Sequence, residues 1–173
     1  VDNTLVIWDS LAIAEYLSEK FQERQLWPDG LPQRARARSL CAAIHSGFRG
    51  LRSACPMNIE ADLSEVGAIA WRDNAALRSD MHVLEGLLVD ALQRYGGPFL
   101  FGPEFSIADA FYAPVVMRLN SYALPVSAPL AAYMQHITQL PSMQAWIADA
   151  LQEKDFRAFE EPYRLQASTS PAV

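Results

Sequence analysis

Between residues 77 and 95, Leu77, Met81, Leu84, Leu88, Leu92 and Tyr95 recur every three or four positions, and Gly96-Gly97-Pro98 comes directly after them. That period places six apolar side chains on one stripe of a long helix, and the Gly-Gly-Pro triplet stops it. A second stripe, Ala37, Leu40, Cys41, Ile44, Phe48 and Leu51, predicts a helix that Pro32 starts and that runs to about Ser53. Pro56 interrupts the chain beyond that helix, and the second long helix begins after Ser64. Two long helices joined by short turns pack antiparallel, so the greater part of this chain reads as an all-α bundle.

The bundle has a third, better-marked helix. In Phe99-Leu100-Phe101-Gly102-Pro103-Glu104-Phe105-Ser106-Ile107-Ala108-Asp109-Ala110-Phe111, the Ser106-x-x-Asp109 pair forms a capping box that opens an apolar helix to about Ser121. The Ser106 hydroxyl accepts from the Asp109 N–H, and the Asp109 carboxylate reaches back to the Ser106 N–H. On its own this box is structural. Pro114 bends the helix, and shorter helices at about 128–138 and 141–151 complete the set.

The front of the chain is different. Thr4 to Trp8 is β-prone and runs directly into an amphipathic helix with apolar Leu11, Ala14 and Leu17, ending near Gln22. Asp9 and Ser10 stand at the joint. Such a joint leaves backbone N–H groups unpaired, with the helix dipole favouring an anion. Ser10 adds a hydroxyl donor and Asp9 accepts from an ammonium, which suits the carboxylate and ammonium of an α-amino acid. An ordinary N-cap is the plainer reading of the same two residues. A lone strand exposes both edges, so Thr4 to Trp8 is expected to pair with residues outside this sequence, which reads as a fragment.

Leu26-Trp27-Pro28-Asp29-Gly30-Leu31-Pro32 is turn-rich and reads as a linker. The expected organisation is an α/β remnant over 1–25, a linker over 26–32, a helical domain over 33–165 and a frayed tail over 166–173. With 51% hydrophobic and 20% charged residues the chain is globular rather than disordered. A net charge of −6 and a pI near 5.0 give no phosphate-backbone footprint. Arg34, Arg36 and Arg38 are spread around a helix rather than gathered into a patch. Cys41 and Cys55 have neither disulfide-framework nor metal-ligand spacing. Cys41 reads as a small core side chain, and Cys55, beside a proline at a helix end, as a more exposed one. No run of 18 apolar residues appears. These features predict a cytoplasmic protein with no metal, no nucleic-acid partner and no membrane partner.

Taken together, Asp9-Ser10-x-Ala12-Ile13-x-x-Tyr16-Leu17 and Phe101-Gly102…Phe105-Ser106-Ile107-Ala108-Asp109 resemble the glutathione transferase superfamily. The first run is similar to the end of that family's thioredoxin-like domain, the second to its helical-domain capping motif. They lie 97 residues apart, Ser10 to Ser106 inclusive, in the family's order, and Pro141-Ser142-Met143-x-x-Trp146 is similar to its late helix. The resemblance implies a fold that is mostly α: the last strand and helix of a thioredoxin-like domain, then the family's all-α bundle. It implies that Asp9 and Ser10 grip the γ-glutamyl end of glutathione, taken as cosubstrate. The thiol-activating Ser, Cys or Tyr would lie upstream, so no catalytic residue is named.

The same resemblance brings the end of the first long helix to a cleft between domains. Phe48, Arg49, Arg52, Met57 and Asn58 would line a pocket for a small hydrophobic electrophile, with Tyr112 reaching it from the capped helix. Arg49 and Arg52, three apart, can neutralise a carboxylate of glutathione or of an acidic substrate, or pair with surface acids instead. His45 reads as a packing histidine rather than a general base, and His82 and His136 stand alone. The resemblance further implies a homodimer through helices 32–53 and 64–95. The activity it implies is attack of the glutathione sulfur on an electrophilic carbon. A non-catalytic interaction or regulatory module of the same fold is the alternative.

Overall fold

The computed structural model describes Asp2, residues 4–153 and residues 162–163. Among these lie eight α-helices: α1 (Ser10–Lys20), α2 (Leu31–Ser46), α3 (Arg49–Ala54), α4 (Ser64–Asp73), α5 (Ala75–Tyr95), α6 (Ile107–Ser121), α7 (Ala128–Gln139) and α8 (Pro141–Gln152). A 3₁₀ turn, Gln22–Arg24, follows α1. No strand forms among the described residues; Thr4 to Trp8 keeps a single bridge, Asp2 to Leu5. The β-prone pattern is there, but an extended segment without a neighbouring ladder has nothing to bond to. The proposed end of the helical domain at 165 and the tail over 166–173 lie outside the described residues.

The bundle is built around α6. It packs on α2 and α7, α5 packs on α3, α4 and α7, and α1 rests on α2. Leu77, Met81, Leu84 and Leu88 of α5 are buried with Leu100, Val116, Leu119, Leu130 and Ile137, as the long stripe requires. Ala37, Leu40 and Cys41 of α2 bury against the same core, while Trp8, Val6 and Leu5 stay exposed. Cys55 is fully buried, not exposed as its position beside a proline suggests.

Two expected long helices are each divided. The first breaks at Gly47-Phe48, where Phe48 takes a left-handed conformation (φ 56°) and α3 starts afresh. The N-terminus of α3 has no local cap; instead the Leu51 N–H donates to Asp80 Oδ2 of α5 at 3.0 Å. The second divides at Asn74, whose side chain caps α5 by accepting from the Leu77 N–H at 3.0 Å. Gly96 ends α5 in the left-handed region (φ 83°) with its N–H on the Leu92 carbonyl, which is why glycine stands there.

Helix α6 enters the core through its capping box, which is in place in both directions. Asp109 Oδ2 accepts from the Ser106 N–H and hydroxyl, each at 2.9 Å. Its Oδ1 accepts from the Leu100 N–H at 2.9 Å and the Tyr133 hydroxyl at 3.2 Å. The Ile107 N–H donates to the Leu26 carbonyl and so fastens the expected linker to α6. At the far end Gly67 of α4 crosses the Tyr122 carbonyl so closely that a Cβ there would lie 1.8 Å from its oxygen.

Candidate functional site

The strand-to-helix joint is retained as a cap. Asp9 is the N-cap of α1, and its Oδ1 accepts from the Leu11 N–H at 2.9 Å. The backbone there has a positive φ (φ 74°, ψ 126°) outside the left-handed helical well, a strained conformation for a residue with a Cβ. Asp9 Oδ2 is free of the cap and stands 3.1 Å from His45 Nε2 on α2. Ser10 is the first residue of α1, exposed, and its hydroxyl makes no hydrogen bond to a described residue.

Ser10 sits at the mouth of a cleft. One wall is α2 and α3, with Ile44, His45, Leu51 and Arg52; the other is α6, with Phe111, Pro114, Val115 and Arg118. The spacing 111–114/115–118 is one face of a helix. A wider hollow continues past Arg52 and Arg118 to Arg49, Ser53, Pro56 and Met57. The two recesses share the two arginines and enclose roughly 600 and 1060 Å³ of open space.

The expected pocket residues are therefore distributed unevenly. Arg52 borders both recesses, and Arg49 and Met57 border the wider one. Phe48 is buried at the α2–α3 break and faces the core. The Asn58 side chain is committed to a turn, accepting from the Ala61 N–H at 2.8 Å. Tyr112 lies in the core with no exposed surface, its hydroxyl donating to the Leu40 carbonyl at 3.1 Å. Burial pushes the Tyr112 phenol well above its ordinary range, as expected for a packing aromatic. Tyr112 stands three residues after Asp109, and on α6 that step turns it inward and Phe111 outward.

Arg118 carries no signal in the sequence beyond following Phe111 and Pro114 at helical spacing. Its side chain is half-buried, its Nη1 donates to Met57 Sδ at 3.2 Å, and its Nε has no partner. Burial, and then the Arg52 charge, lower its pKa. Arg52 itself reaches the His45 carbonyl at 3.3 Å. Among the described residues none of Arg49, Arg52 and Arg118 forms an ion pair with a carboxylate.

Neither cysteine serves the cleft. Burial raises the Cys41 thiol to about 12 and the Cys55 thiol to about 11, far from a reactive thiolate. Among the described residues no group of three or more His, Cys, Asp or Glu is placed to hold a metal ion. No helix among them is long and apolar enough to cross a membrane.

An all-α bundle centred on a boxed helix, with a cap-bearing joint opening on its cleft, defines a helical domain of the glutathione transferase type. Residues 34–149 match the family described as "Glutathione S-transferase, C-terminal domain", and the chain belongs to that family. It is 31% identical over 161 residues to "Glutathione S-transferase Z1" of Arabidopsis thaliana, covering 89% of this chain and 67% of that protein. It is 28% identical over 123 residues to "Maleylacetoacetate isomerase" of Rattus norvegicus, covering 71% of this chain and 53% of that one. A crystal structure of a glutathione transferase from Methylococcus capsulatus superposes with a TM-score of 0.60 at 23% identity, over 88% of this chain and 72% of the other. That likeness is one of fold. The chain spans about half to two thirds of the length of the curated relatives it matches.

Proposed function

We propose that the protein this chain belongs to is a glutathione-dependent transferase, and that residues 1–25 form part of its glutathione-binding domain, joined through 26–32 to the helical domain. The observation that carries the reading is the placement of Asp9 and Ser10. The joint opens on the cleft between α2–α3 and α6, with a free hydroxyl and a carboxylate oxygen not used by the cap. In this reading Asp9 Oδ2 receives the γ-glutamyl ammonium. The Ser10 hydroxyl and the first-turn amides of α1 that the Asp9 cap leaves unpaired receive the neighbouring carboxylate. The names carried by its relatives support the class of reaction.

The chemistry asks little of these two residues beyond placement. A free thiol titrates near 8.5, so a donor or helix terminus outside this sequence lowers the glutathione thiol to give useful thiolate at neutral pH. The sulfur then attacks an electrophilic carbon held in the cleft, and the leaving group departs with its bonding electrons. Asp9 and Ser10 fix the distance and direction of that attack. The protein acts as a cytoplasmic homodimer through the outer faces of α2–α3 and α4–α5, as the family resemblance implies.

The test is glutathione-agarose retention of the full-length protein, followed by a chloro-dinitrobenzene assay. Ser10→Ala is expected to weaken glutathione binding about tenfold, the loss of one or two charge-assisted hydrogen bonds. Its melting temperature should stay within about 2 °C of the parent, since Asp9 rather than Ser10 supplies the cap. Unchanged affinity in that variant would reduce Ser10 to a helix-starting residue.

A further inference from the structure

We propose that Arg118 of α6, with Arg52 of α3, forms an anion subsite in the cleft, and that the electrophile carries a carboxylate at the end of an apolar body. The inference rests on the glutathione reading above and narrows its substrate.

Arg118 is in an unusual position for a structural arginine. A half-buried guanidinium held for stability normally faces a carboxylate or several carbonyls, because a desolvated, unpaired cation is costly. Here the described partner is a thioether sulfur, a weak acceptor, and the buried Nε has none. Its neighbour along the cleft is another cation, Arg52, whose charge adds to the cost of keeping Arg118 protonated. The two arginines come from different helices and border both recesses. Such an arrangement disfavours the empty cleft and favours one holding a negative group between them. A guanidinium presents two parallel N–H groups that match a carboxylate.

The remaining lining says what the rest of the ligand is. Ile44, Leu51, Phe111, Pro114 and Val115 make the floor and walls of the narrower recess apolar. The polar groups at its rim, Ser10 and His45, belong to the glutathione end of the cleft. A ligand that satisfies both ends is an apolar electrophile with its carboxylate aimed at Arg118. The carboxylates of glutathione itself are the other source of the same chemistry, and the test separates them.

Two glutathione conjugates differing by one group serve as probes: S-benzylglutathione and S-(4-carboxybenzyl)glutathione, titrated calorimetrically into the full-length protein. The carboxybenzyl conjugate is expected to bind about tenfold more tightly, in keeping with a hydrogen-bonded charge pair in a partly desolvated site. Arg118→Gln should abolish that preference and leave affinity for S-benzylglutathione within about twofold. Arg118→Lys should restore part of it. Arg52→Gln alters an exposed side chain and serves if the Arg118 variants do not fold. It should cut the preference by about threefold. Equal affinity of the parent protein for both conjugates overturns the subsite. So does an Arg118→Gln variant that weakens both equally, which assigns the arginine to glutathione's own carboxylate. Failure of the parent to bind either conjugate fells the glutathione reading and this subsite with it.

Discussion

Asp109 shows how much one side chain can organise. It is fully buried and accepts from four donors on three segments: Leu100, Ser106 twice, and Tyr133. Burial raises its pKa, and those four hydrogen bonds oppose the shift. Removing it leaves two buried amides and two buried hydroxyls without that acceptor. Asp109→Ala should therefore cost about 3 kcal/mol or more, lowering the melting temperature by roughly 10 °C. Calorimetry checks the loss, and glutathione affinity of the remaining folded fraction should be unchanged. Half of this network is local and was legible as a capping box. The bonds to Leu100 and Tyr133 join positions 9 and 24 residues away, and no spacing rule in a single sequence points to them. Asp9 repeats the lesson on a small scale: its role as a cap is readable, its approach to His45 is not.

Helices taken singly were more legible than their ends. The stripes of α5 and α2 and the bounds of α6, α7 and α8 follow the apolar period closely, because each must bury a face. The break at Gly47-Phe48 is hidden for the same reason, since the apolar stripe runs on through Phe48 and Leu51; the one at Asn74 falls ahead of the α5 stripe, which begins at Leu77. Asn74 is nonetheless a good N-cap, a signal present in the sequence. Glycines show where elements touch. Gly67→Ala forces a methyl group into the Tyr122 carbonyl, and α4 or the end of α6 must move; a loss of about 1–3 kcal/mol is expected. Gly86, on α5 with nothing within 4 Å of a Cβ, makes the matched control, and Gly86→Ala should stabilise by up to about 1 kcal/mol. Chemical denaturation of the two variants is expected to give stability changes of opposite sign, and equal changes would contradict the close crossing.

The whole molecule carries a set of groups that must stay protonated to remain folded. Burial raises Cys41 to about 12 and Cys55 to about 11, and raises Tyr112, Tyr122 and Tyr133 beyond the ordinary phenol range. A folded-state pKa above the unfolded one means that the folded form keeps its proton longer. The stability these thiols contribute is complete below about pH 9 and is lost as pH rises toward 11 and 12. Melting temperature should fall steadily above about pH 9, and a Cys41→Ala/Cys55→Ala pair should delay the onset relative to its own value at pH 7. In the native protein, a thiol reagent at pH 8 should label neither cysteine until denaturant is added. Such core chemistry is only partly visible in the sequence: Cys41 is readable as a core residue, whereas Cys55 is fully buried although it stands beside Pro56 at a helix end. The cleft is least visible of all, since its walls come from α1, α2, α3 and α6 and Arg118 acquires meaning only opposite Arg52.

The two jaws of that cleft are held very differently. Helix α6 is tied at one end to Leu26, Leu100 and Tyr133, in its middle to Leu40, and at the other end to Asn58 and Leu63. Facing it, α3 is six residues long and relies on a single carboxylate from α5 to finish its leading turn. Its hold is otherwise apolar, with Leu51 fully buried where α3 packs along α5, so one wall is kept in place by polar ties and the other by close packing, and Leu51→Ala would loosen the second alone.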